Sequence, residues 1–584
     1  MKTPRTVSLP TPFEKEMTDP PFAAYPRPQM VRDSYLCLNG VWDFSLLSSR
    51  GEENLGKILV PYPPESRLSS IGRQIDPRKK MIYRRFVTLP DGFRKGKGRI
   101  LLHFGAVDQY AAVFLNGHLM ASHTGGYLPF EVDVTDYLMD GENELRLEAD
   151  DRLDTDLPYG KQTKKRGGMW YTPVSGIWQT VWMECVPENY IRALRITPTL
   201  DSVTVEVEGG VEEKVLTLHG GEDRAEQTFR GEGERITLTL EHPHLWTPED
   251  PYLYHFTLAS GEDTVRSYFA LRTVGITEVN GADGTCKSVM TLNERPYFFH
   301  GLLDQGYFSD GIFLPATEEG FRNDILQMKA CGFNMLRKHI KVEPDLFYYL
   351  CDKLGMVVFQ DMVNSGKYNF LIDTALPTVG LRRGITHRAS ERRRKLFFEC
   401  AEGMMEQLYN HPSVCSYTIF NEGWGQFDAD AVYDRLKAKD RTRIFDATSG
   451  WFKCKKSDVE SDHVYFKKVK LQSVRGRPMV LSEFGGYSCK IEGHAFNLDK
   501  TYGYRYFDDP QAFEDALVAL YESEIVPSIR QGLCATVLTQ VSDVEDETNG
   551  LLTYDRALLK VDAARMNKLA ADLYQAFDKT FCTE

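Results

Sequence analysis

The stretch Phe321-Arg-Asn-Asp-Ile-Leu-Gln-Met-Lys-Ala-Cys-Gly-Phe-Asn-Met-Leu-Arg337 decides the fold of the larger part of this chain. Phe321, Ile325 and Met328 stand at helical spacing, Gly332 suits a left-handed cap, and Phe333-Asn-Met-Leu-Arg then reads as a strand. The pattern repeats at once: Leu346, Leu350 and Leu354 mark a helix, Gly355 closes it, and Met356-Val-Val-Phe-Gln enters the next strand. Helix-length segments alternating with short apolar strands predict βα units around a parallel sheet. Roughly 300 residues of this grammar, over 277–584, fit a C-terminal (β/α)8 TIM barrel.

Upstream the grammar is different. Over 1–187, short alternating runs such as Gly40-Val-Trp-Asp-Phe-Ser, Arg99-Ile-Leu-Leu-His-Phe and Glu144-Leu-Arg-Leu-Glu predict an antiparallel sandwich, here a jelly-roll β-sandwich. Asn116-Gly117 between apolar runs is a hairpin signal, because both residues tolerate the positive φ of a type I′ turn. Over 188–276, Ser202-Val-Thr-Val-Glu-Val-Glu and Arg235-Ile-Thr-Leu-Thr-Leu predict a second, immunoglobulin-like β-sandwich. The multidomain β and α/β chain shows no short internal repeat and no low-complexity segment.

With 584 residues, 42% of them hydrophobic and 26% charged, the chain has the profile of a folded protein and not of a disordered one. Lys and Arg number 70 against 83 Asp and Glu, and the formal charge of -13 opposes phosphate backbones. A general nucleic-acid partner is therefore not expected. No stretch approaches the roughly 18 apolar residues of a membrane span, and the first residues lack an apolar leader core, so a cytoplasmic protein away from membranes is expected. Eleven Cys without a C-x-x-C pair read as reduced thiols, not as a disulfide frame or zinc site. We expect no cofactor, no resident metal, and a homo-oligomer.

The chain has no G-x-x-x-x-G-K-[ST], G-x-G-x-x-G, H-E-x-x-H or G-x-S-x-G, so phosphate-loop, dinucleotide, zincin and serine-elbow chemistries lose their support. What remains is carboxylates at the ends of barrel strands, where barrel active sites lie. Ser413-Val-Cys-Ser-Tyr-Thr-Ile-Phe leads into Asn421-Glu422-Gly-Trp-Gly, and Pro478-Met-Val-Leu-Ser leads into Glu483-Phe-Gly-Gly. An acid after a buried strand is partly desolvated, which raises its pKa toward general-acid range. Two such acids on one barrel point to glycoside cleavage; a structural salt bridge is the alternative for each taken singly.

These residues make the barrel resemble glycoside hydrolase family 2, the retaining exo-β-glycosidases that include β-galactosidases and β-glucuronidases. Asn410-His-Pro-Ser-Val followed by Asn421-Glu422 is similar to that family's acid/base motif, with Tyr417 where a Trp is usual. Gly125-Gly-Tyr-Leu-Pro-Phe and Trp170-Tyr-Thr-Pro-Val-Ser-Gly-Ile-Trp-Gln resemble its sugar-binding sandwich. Leu245-Trp-Thr-Pro-Glu-Asp-Pro-Tyr-Leu-Tyr and Tyr268-Phe-Ala-Leu-Arg resemble the close of its immunoglobulin-like domain, so the likeness runs through nearly the whole chain.

The resemblance implies Glu422 as acid/base and Glu483 as nucleophile, with Asn421 on the sugar 2-hydroxyl or, failing that, capping the strand end. It also implies that Tyr465, which shares a strand face with His463, hydrogen-bonds the nucleophile; a satisfied core His and Tyr is the alternative. Asp361 ends a strand and could hold sugar hydroxyls or be a solvated acid. Trp424 and Trp451 offer flat faces for a sugar ring, although core packing is the default for any Trp. Lys164-Lys165-Arg166 and Arg392-Arg-Arg-Lys395 read as solvated faces.

In an extended chain Arg337, His339 and Lys341 share one face, which suits a sugar bearing a carboxylate. The alternative is that Arg337 braces the catalytic carboxylates. The glucuronidase Asn-x-Lys motif, expected just before Gly550, is replaced by Glu547-Thr-Asn549. The expectation is a β-hexuronidase, galacturonide ahead of glucuronide, with a neutral β-galactosidase as runner-up. A non-catalytic carbohydrate-binding protein and a metal-dependent lyase or isomerase on the same barrel are the competing classes.

Overall fold

The computed structural model describes residues 5–220, 226–281, 284–369, 371–378 and 389–582. Its centre is a ring of eight parallel strands: β1 (Phe299–Asp304), β2 (Met335–Lys338), β3 (Val357–Asp361), β4 (Val414–Asn421), β5 (Ile444–Ser449), β6 (Glu460–Val464), β7 (Met479–Gly485) and β8 (Leu533–Thr539). They are hydrogen-bonded in the order β5-β4-β3-β2-β1-β8-β7-β6, which closes a barrel except for one seam between β5 and β6. Helices outside and side chains inside cover both faces, which is why β3, β4 and β7 are buried at every residue and read as near-continuous apolar runs.

Helix α1 (Glu318–Ala330) joins β1 to β2, and α2 (Asp345–Leu354) joins β2 to β3. Both end as their glycines require: Gly332 has φ 88° and Gly355 has φ 72°. Gly355 has a second reason to lack a side chain, since a Cβ there would stand 2.3 Å from the carbonyl oxygen of Pro248 in the preceding sandwich. Helices α3 (Glu391–Leu408) and α4 (Ala429–Lys439) flank β4. The eightfold alternation is incomplete: 450–459 and 465–478 cross from β5 to β6 and from β6 to β7 without a helix. The first is too short for a crossover helix with its turns, and the second scatters Lys467, Lys468, Lys470, Arg475 and Arg477 among its apolar residues and leaves no helical stripe.

Ahead of the barrel, a six-stranded and a four-stranded antiparallel sheet form the first sandwich. Its hairpin between Tyr110–Leu115 and His118–Thr124 turns through Asn116 (φ 51°) and Gly117 (φ 83°), the pair of positive φ values a type I′ turn needs. A three-stranded and a four-stranded sheet form the second, seven-stranded sandwich. The eleven cysteines are all unpaired, and no described helix is long and apolar enough to cross a membrane.

Asp352, at the end of α2, fastens this second sandwich to the barrel. Its carboxylate accepts from the Tyr268 hydroxyl at 2.7 Å and from the Ser413 backbone N–H at 2.9 Å, and contacts His411 Nδ1 at 2.7 Å. Its carbonyl accepts from the Trp246 indole at 2.8 Å. All of these groups are buried, so truncation strands several donors at once. Asp352→Ala is expected to destabilise the protein by about 3–5 kcal/mol in urea unfolding. A loss below about 1 kcal/mol, typical of a surface substitution, would show that the network is not what joins the two parts.

Candidate active site

β4 and β7 deliver one glutamate each to the C-terminal mouth of the barrel. Glu422 follows β4 in a left-handed turn, φ 53°, with Gly423 at 75°. A non-glycine residue held there is strained, and the surroundings hold it: its N–H donates to the Ser449 carbonyl at 2.9 Å. Glu483 lies within β7, ahead of Gly485 and Gly486. Gly486 has φ 64°, and a Cβ on it would stand 2.3 Å from the ring of Tyr504, which stacks on Tyr465 at 4.0 Å. The glycines therefore let the aromatic wall approach the strand of Glu483.

Between the two glutamates stands His463 of β6, wholly buried. Its Nδ1 is 2.8 Å from Glu422 Oε1 and 3.5 Å from Glu483 Oε2. One ligand-type atom from each of Glu422, His463 and Glu483 lies within 4.8 Å of the others. Burial pushes the imidazole pKa down to about 3, so the ring is neutral at physiological pH. Tyr465 donates its hydroxyl to Glu483 Oε2 and contacts Thr539 Oγ1 at 3.1 Å. Burial, then the Glu483 charge, raises that phenol well above its ordinary value, so it remains a donor.

Arg337 sits beneath this group with its side chain 1% exposed. Nε donates to Asp361 Oδ1 at 2.9 Å, NH1 to the Ser482 carbonyl at 2.9 Å and Glu483 Oε1 at 3.2 Å, and NH2 to Asn421 Oδ1 at 2.8 Å. Burial opposes its charge, but Asp361 and Glu483 outweigh burial and raise its pKa. The same balance holds Asp361 below the usual carboxylate range: burial would raise it, and Arg337 and His339 lower it.

The expected face of two fixed cations and a titratable ring is formed only in part, since Arg337 and His339 both meet Asp361 while Lys341 leaves it. β2 ends at Lys338 and Ile340 turns the backbone at φ 42°, so the strand alternation that aligned 337, 339 and 341 stops. Arg337 is spent on carboxylates and carbonyls. His339 Nδ1 is 2.7 Å from Asp361 Oδ2, and burial lowers its pKa. Lys341 turns away to Glu343 at 2.8 Å and to the Gly306 and Phe313 carbonyls, with burial pulling its pKa down to about 8. Asp361 is likewise not a solvated acid but a buried partner of Arg337 and His339. Trp451 is half-buried with its ring 6.4 Å from His463, at the mouth. Trp424 is instead packed edge-on against Trp170 and Tyr159, its indole donating to the Gly366 carbonyl at 3.0 Å. The run at 392–395 is not one solvated face either. Arg393 is buried against the Ser365 and Gly425 carbonyls because α3 turns it inward, while Arg392 stays exposed and pairs with Asp154 and Asp156.

Sequence reasoning missed what the first sandwich contributes. Its segment 159–171 lies on the barrel rim: Tyr159 and Gly160 donate N–H to the Asn364 carbonyl, and the Tyr171 hydroxyl donates to buried Glu547. Lys161, half-buried there, stands 5.8 Å over the Tyr171 ring, and its charge acts on both Glu547 and His339. Glu547 also accepts from Gln540 at 3.3 Å, and burial raises its pKa despite Lys161. Nothing in the barrel's own motifs points to Lys161, which the fold brings beside Tyr171. As for metals, Glu422, His463 and Glu483 are the one grouping among the described residues with ligand spacing, but Arg337 and Tyr465 already occupy the oxygens of Glu483.

Three family models match successive parts of the chain: glycosyl hydrolase 2 galactose-binding domain-like over 68–189, glycosyl hydrolases family 2 over 189–272, and glycosyl hydrolases family 2, TIM barrel domain over 285–481. The chain is similar to a β-galactosidase of Thermoanaerobacter pseudethanolicus, 22% identical over 77% of this chain and 62% of that one. It is also similar to the β-glucuronidase of Felis catus, 25% identical over 68% and 65%. It thus spans somewhat under two thirds of these relatives' lengths. Among solved structures, a β-D-glucuronidase of Dictyoglomus thermophilum superposes with TM-score 0.72 at 19% identity, covering 94% of this chain and 98% of that one. A β-galacturonidase of Eisenbergiella tayi bound to galacturonate superposes with TM-score 0.65 at 19% identity, covering 92% and 97%. At such identities these two superpositions show the shared fold.

The site's ion network has a pH signature. Asp361 has a depressed folded pKa, so its contribution to stability is full above the unfolded value of about 4 and is lost as pH falls through the folded value. Arg337→Met leaves Asp361 and Glu483 buried without their cation and is expected to destabilise by about 3–5 kcal/mol at pH 7. The difference from wild type should shrink at about pH 3, below the unfolded value of Asp361. Equal urea-midpoint differences at the two pH values would contradict the network.

Proposed function

The chain belongs to glycosyl hydrolase family 2, and we propose that it is a retaining exo-β-glycosidase in which Glu422 is the acid/base and Glu483 the nucleophile. The observation that carries this reading is the approach of the two carboxyl groups: their oxygens come within 4.8 Å across His463. Retaining enzymes keep the groups about 5–5.5 Å apart, while inverting ones leave about 6.5–9.5 Å for a water. The environments of the two acids support the assignment of roles. Glu483 accepts from Arg337 and Tyr465, which favour its ionised, attacking form. Glu422 stands at the more open side, its side chain 20% exposed, where a leaving group and then a water would meet it. In the first step Glu422 gives its proton to the glycosidic oxygen as Glu483 bonds to the anomeric carbon; in the second, Glu422 takes a proton from the water that releases the sugar.

For the glycone, the reading is a hexuronide, galacturonide ahead of glucuronide. The cation offered for its carboxylate is Lys161, delivered by the sandwich, in place of Arg337 and Lys341 of the barrel. The replacement of the Asn-x-Lys pair by Glu547-Thr-Asn549 supports this order. One observation favours a second reading, a neutral β-galactosidase: Glu547 borders the same space, and a carboxylate there suits hydroxyls better than a second anion.

A fluorosugar that traps the glycosyl-enzyme is expected to label Glu483, and Glu483→Gln to lose turnover by several orders of magnitude. Glu422→Gln is expected to impair poor leaving groups far more than good ones, with azide restoring turnover. Labelling elsewhere, or an equal loss across leaving groups without azide rescue, would remove the assignment.

The glycone is tested with aryl β-galacturonide, β-glucuronide, β-galactoside and β-glucoside. Galacturonide is expected to have the highest kcat/KM, and Lys161→Met to cost it about 10- to 100-fold while sparing the galactoside. A wild type that cleaves galactosides and ignores both hexuronides favours the neutral reading.

A further inference from the structure

The hydrogens around His463 can be assigned one by one, starting from groups whose polarity is fixed. Arg337 NH1 has three acceptors in reach of its two hydrogens, and the Ser482 carbonyl at 2.9 Å and Glu483 Oε1 at 3.2 Å are nearer than His463 Nε2 at 3.4 Å, which has at most a shared, long contact. The Asp462 carbonyl can only accept, and the Ser482 hydroxyl donates to it at 3.3 Å. The single hydrogen of the Ser449 hydroxyl is claimed by Ser482 Oγ at 2.8 Å or by the Asp446 carboxylate, which in either case leaves the Ser449 oxygen, 3.0 Å from His463 Nε2, as an acceptor. The ring hydrogen that completes this chain sits on Nε2. A neutral imidazole has one such hydrogen, so Nδ1 presents a lone pair to Glu422 Oε1 at 2.8 Å. That contact is a hydrogen bond only when Oε1 carries the proton.

We propose that His463 is a positioning residue that holds Glu422 in its protonated form, accepting the acid's hydrogen at Nδ1 while Nε2–H is anchored through Ser449 and Ser482 to the Asp462 carbonyl. The proposal rests on the reading of Glu422 as the acid, and adds how the barrel keeps that proton in place. The charged and titratable groups facing the ring are Glu422 after β4, Arg337 of β2, Asp361 of β3, His339 beyond β2, and Glu483 of β7. Of these only Glu422 is within hydrogen-bond distance of Nδ1; Glu483 Oε2 is at 3.5 Å and takes the Tyr465 hydroxyl instead. The ring thus treats the two carboxyl groups differently, favouring a proton on one while Arg337 and Tyr465 favour charge on the other. Gly450 is part of the device, since a Cβ there would stand 2.9 Å from the imidazole and push it off this line.

A neutron structure of the deuterated wild-type protein near pH 6 reads the assignment directly. Deuterium is expected on His463 Nε2 and on Glu422 Oε1; deuterium on Nδ1 overturns the proposal. Kinetics give a second reading, with whichever of the aryl β-galacturonide and β-galactoside the wild type cleaves. His463→Ala is expected to move the alkaline limb of kcat/KM to lower pH by about one unit, with the acidic limb in place, because one hydrogen bond to the neutral acid is lost. His463→Asn, whose amide oxygen can accept, is expected to restore most of the shift. An alkaline limb that stays put or moves to higher pH in His463→Ala contradicts the proposal. If Glu422→Gln shows no leaving-group dependence the acid assignment itself has failed, whereas normal Glu422 behaviour with deuterium on Nδ1 refutes only the role of His463.

Discussion

The buried guanidinium of Arg337 is the interaction on which the mouth of the barrel depends. It rises from β2 and bonds Asp361 of β3, Asn421 of β4 and both the backbone and the side chain of β7. Taking one such cation out of water costs several kcal/mol, and two carboxylates with full hydrogen bonding are what offset it. The planar fork matters as much as the charge, because its donors leave in fixed directions and so register four strand ends against one another. A lysine would supply a point charge and lose that registration.

The site is not completed by the barrel alone. Gly160 of the first sandwich has φ 65°, and a Cβ on it would meet the Ile340 carbonyl at 2.8 Å, so the rim segment lies directly against the turn that follows β2. That contact, the bonds to Asn364 and the Tyr171–Glu547 pair fix Lys161 over the mouth. A side chain on a loop held at both ends by another element is placed nearly as well as one on a strand. On the far side, Asp352 ties the second sandwich to α2. The two sandwiches therefore act on opposite ends of the barrel, one shaping the mouth and the other bracing the base of the helices.

Much of this was legible because it is local. An apolar strand followed by an acid, as in Ile419-Phe420-Asn421-Glu422 or Leu481-Ser482-Glu483, is written in consecutive residues, and so are the capping glycines Gly332 and Gly355. His463 and Tyr465 on one face follow from the two-residue period of a strand. The same rule misled at Arg337, His339 and Lys341, since nothing in the letters marks Ile340 as left-handed, and one such residue ends the alternation. Charge was misread for a related reason. Arg393 sits in a run of four cations that looks solvated, yet helical geometry turns it inward to carbonyls. Lys161 was invisible because its partners, His339 and Glu547, lie far along the chain in another domain.

The difference between the two glutamates is in the end a difference of backbone. Glu483 is an ordinary β7 residue, and its side chain, 6% exposed, stays in the layer that Arg337 and Tyr465 control. Glu422 comes one step after β4 has ended, in a left-handed turn that swings its carboxyl outward to 20% exposure. Had β4 continued by one regular residue, its carboxyl would have faced the barrel wall instead of the mouth. The strain of that turn is held by the bond to the Ser449 carbonyl, and Ser449 also anchors His463. One residue at the end of β5 thus fixes the backbone of the outer glutamate and the ring that faces it, which is how two identical side chains are set in different surroundings within a few ångströms.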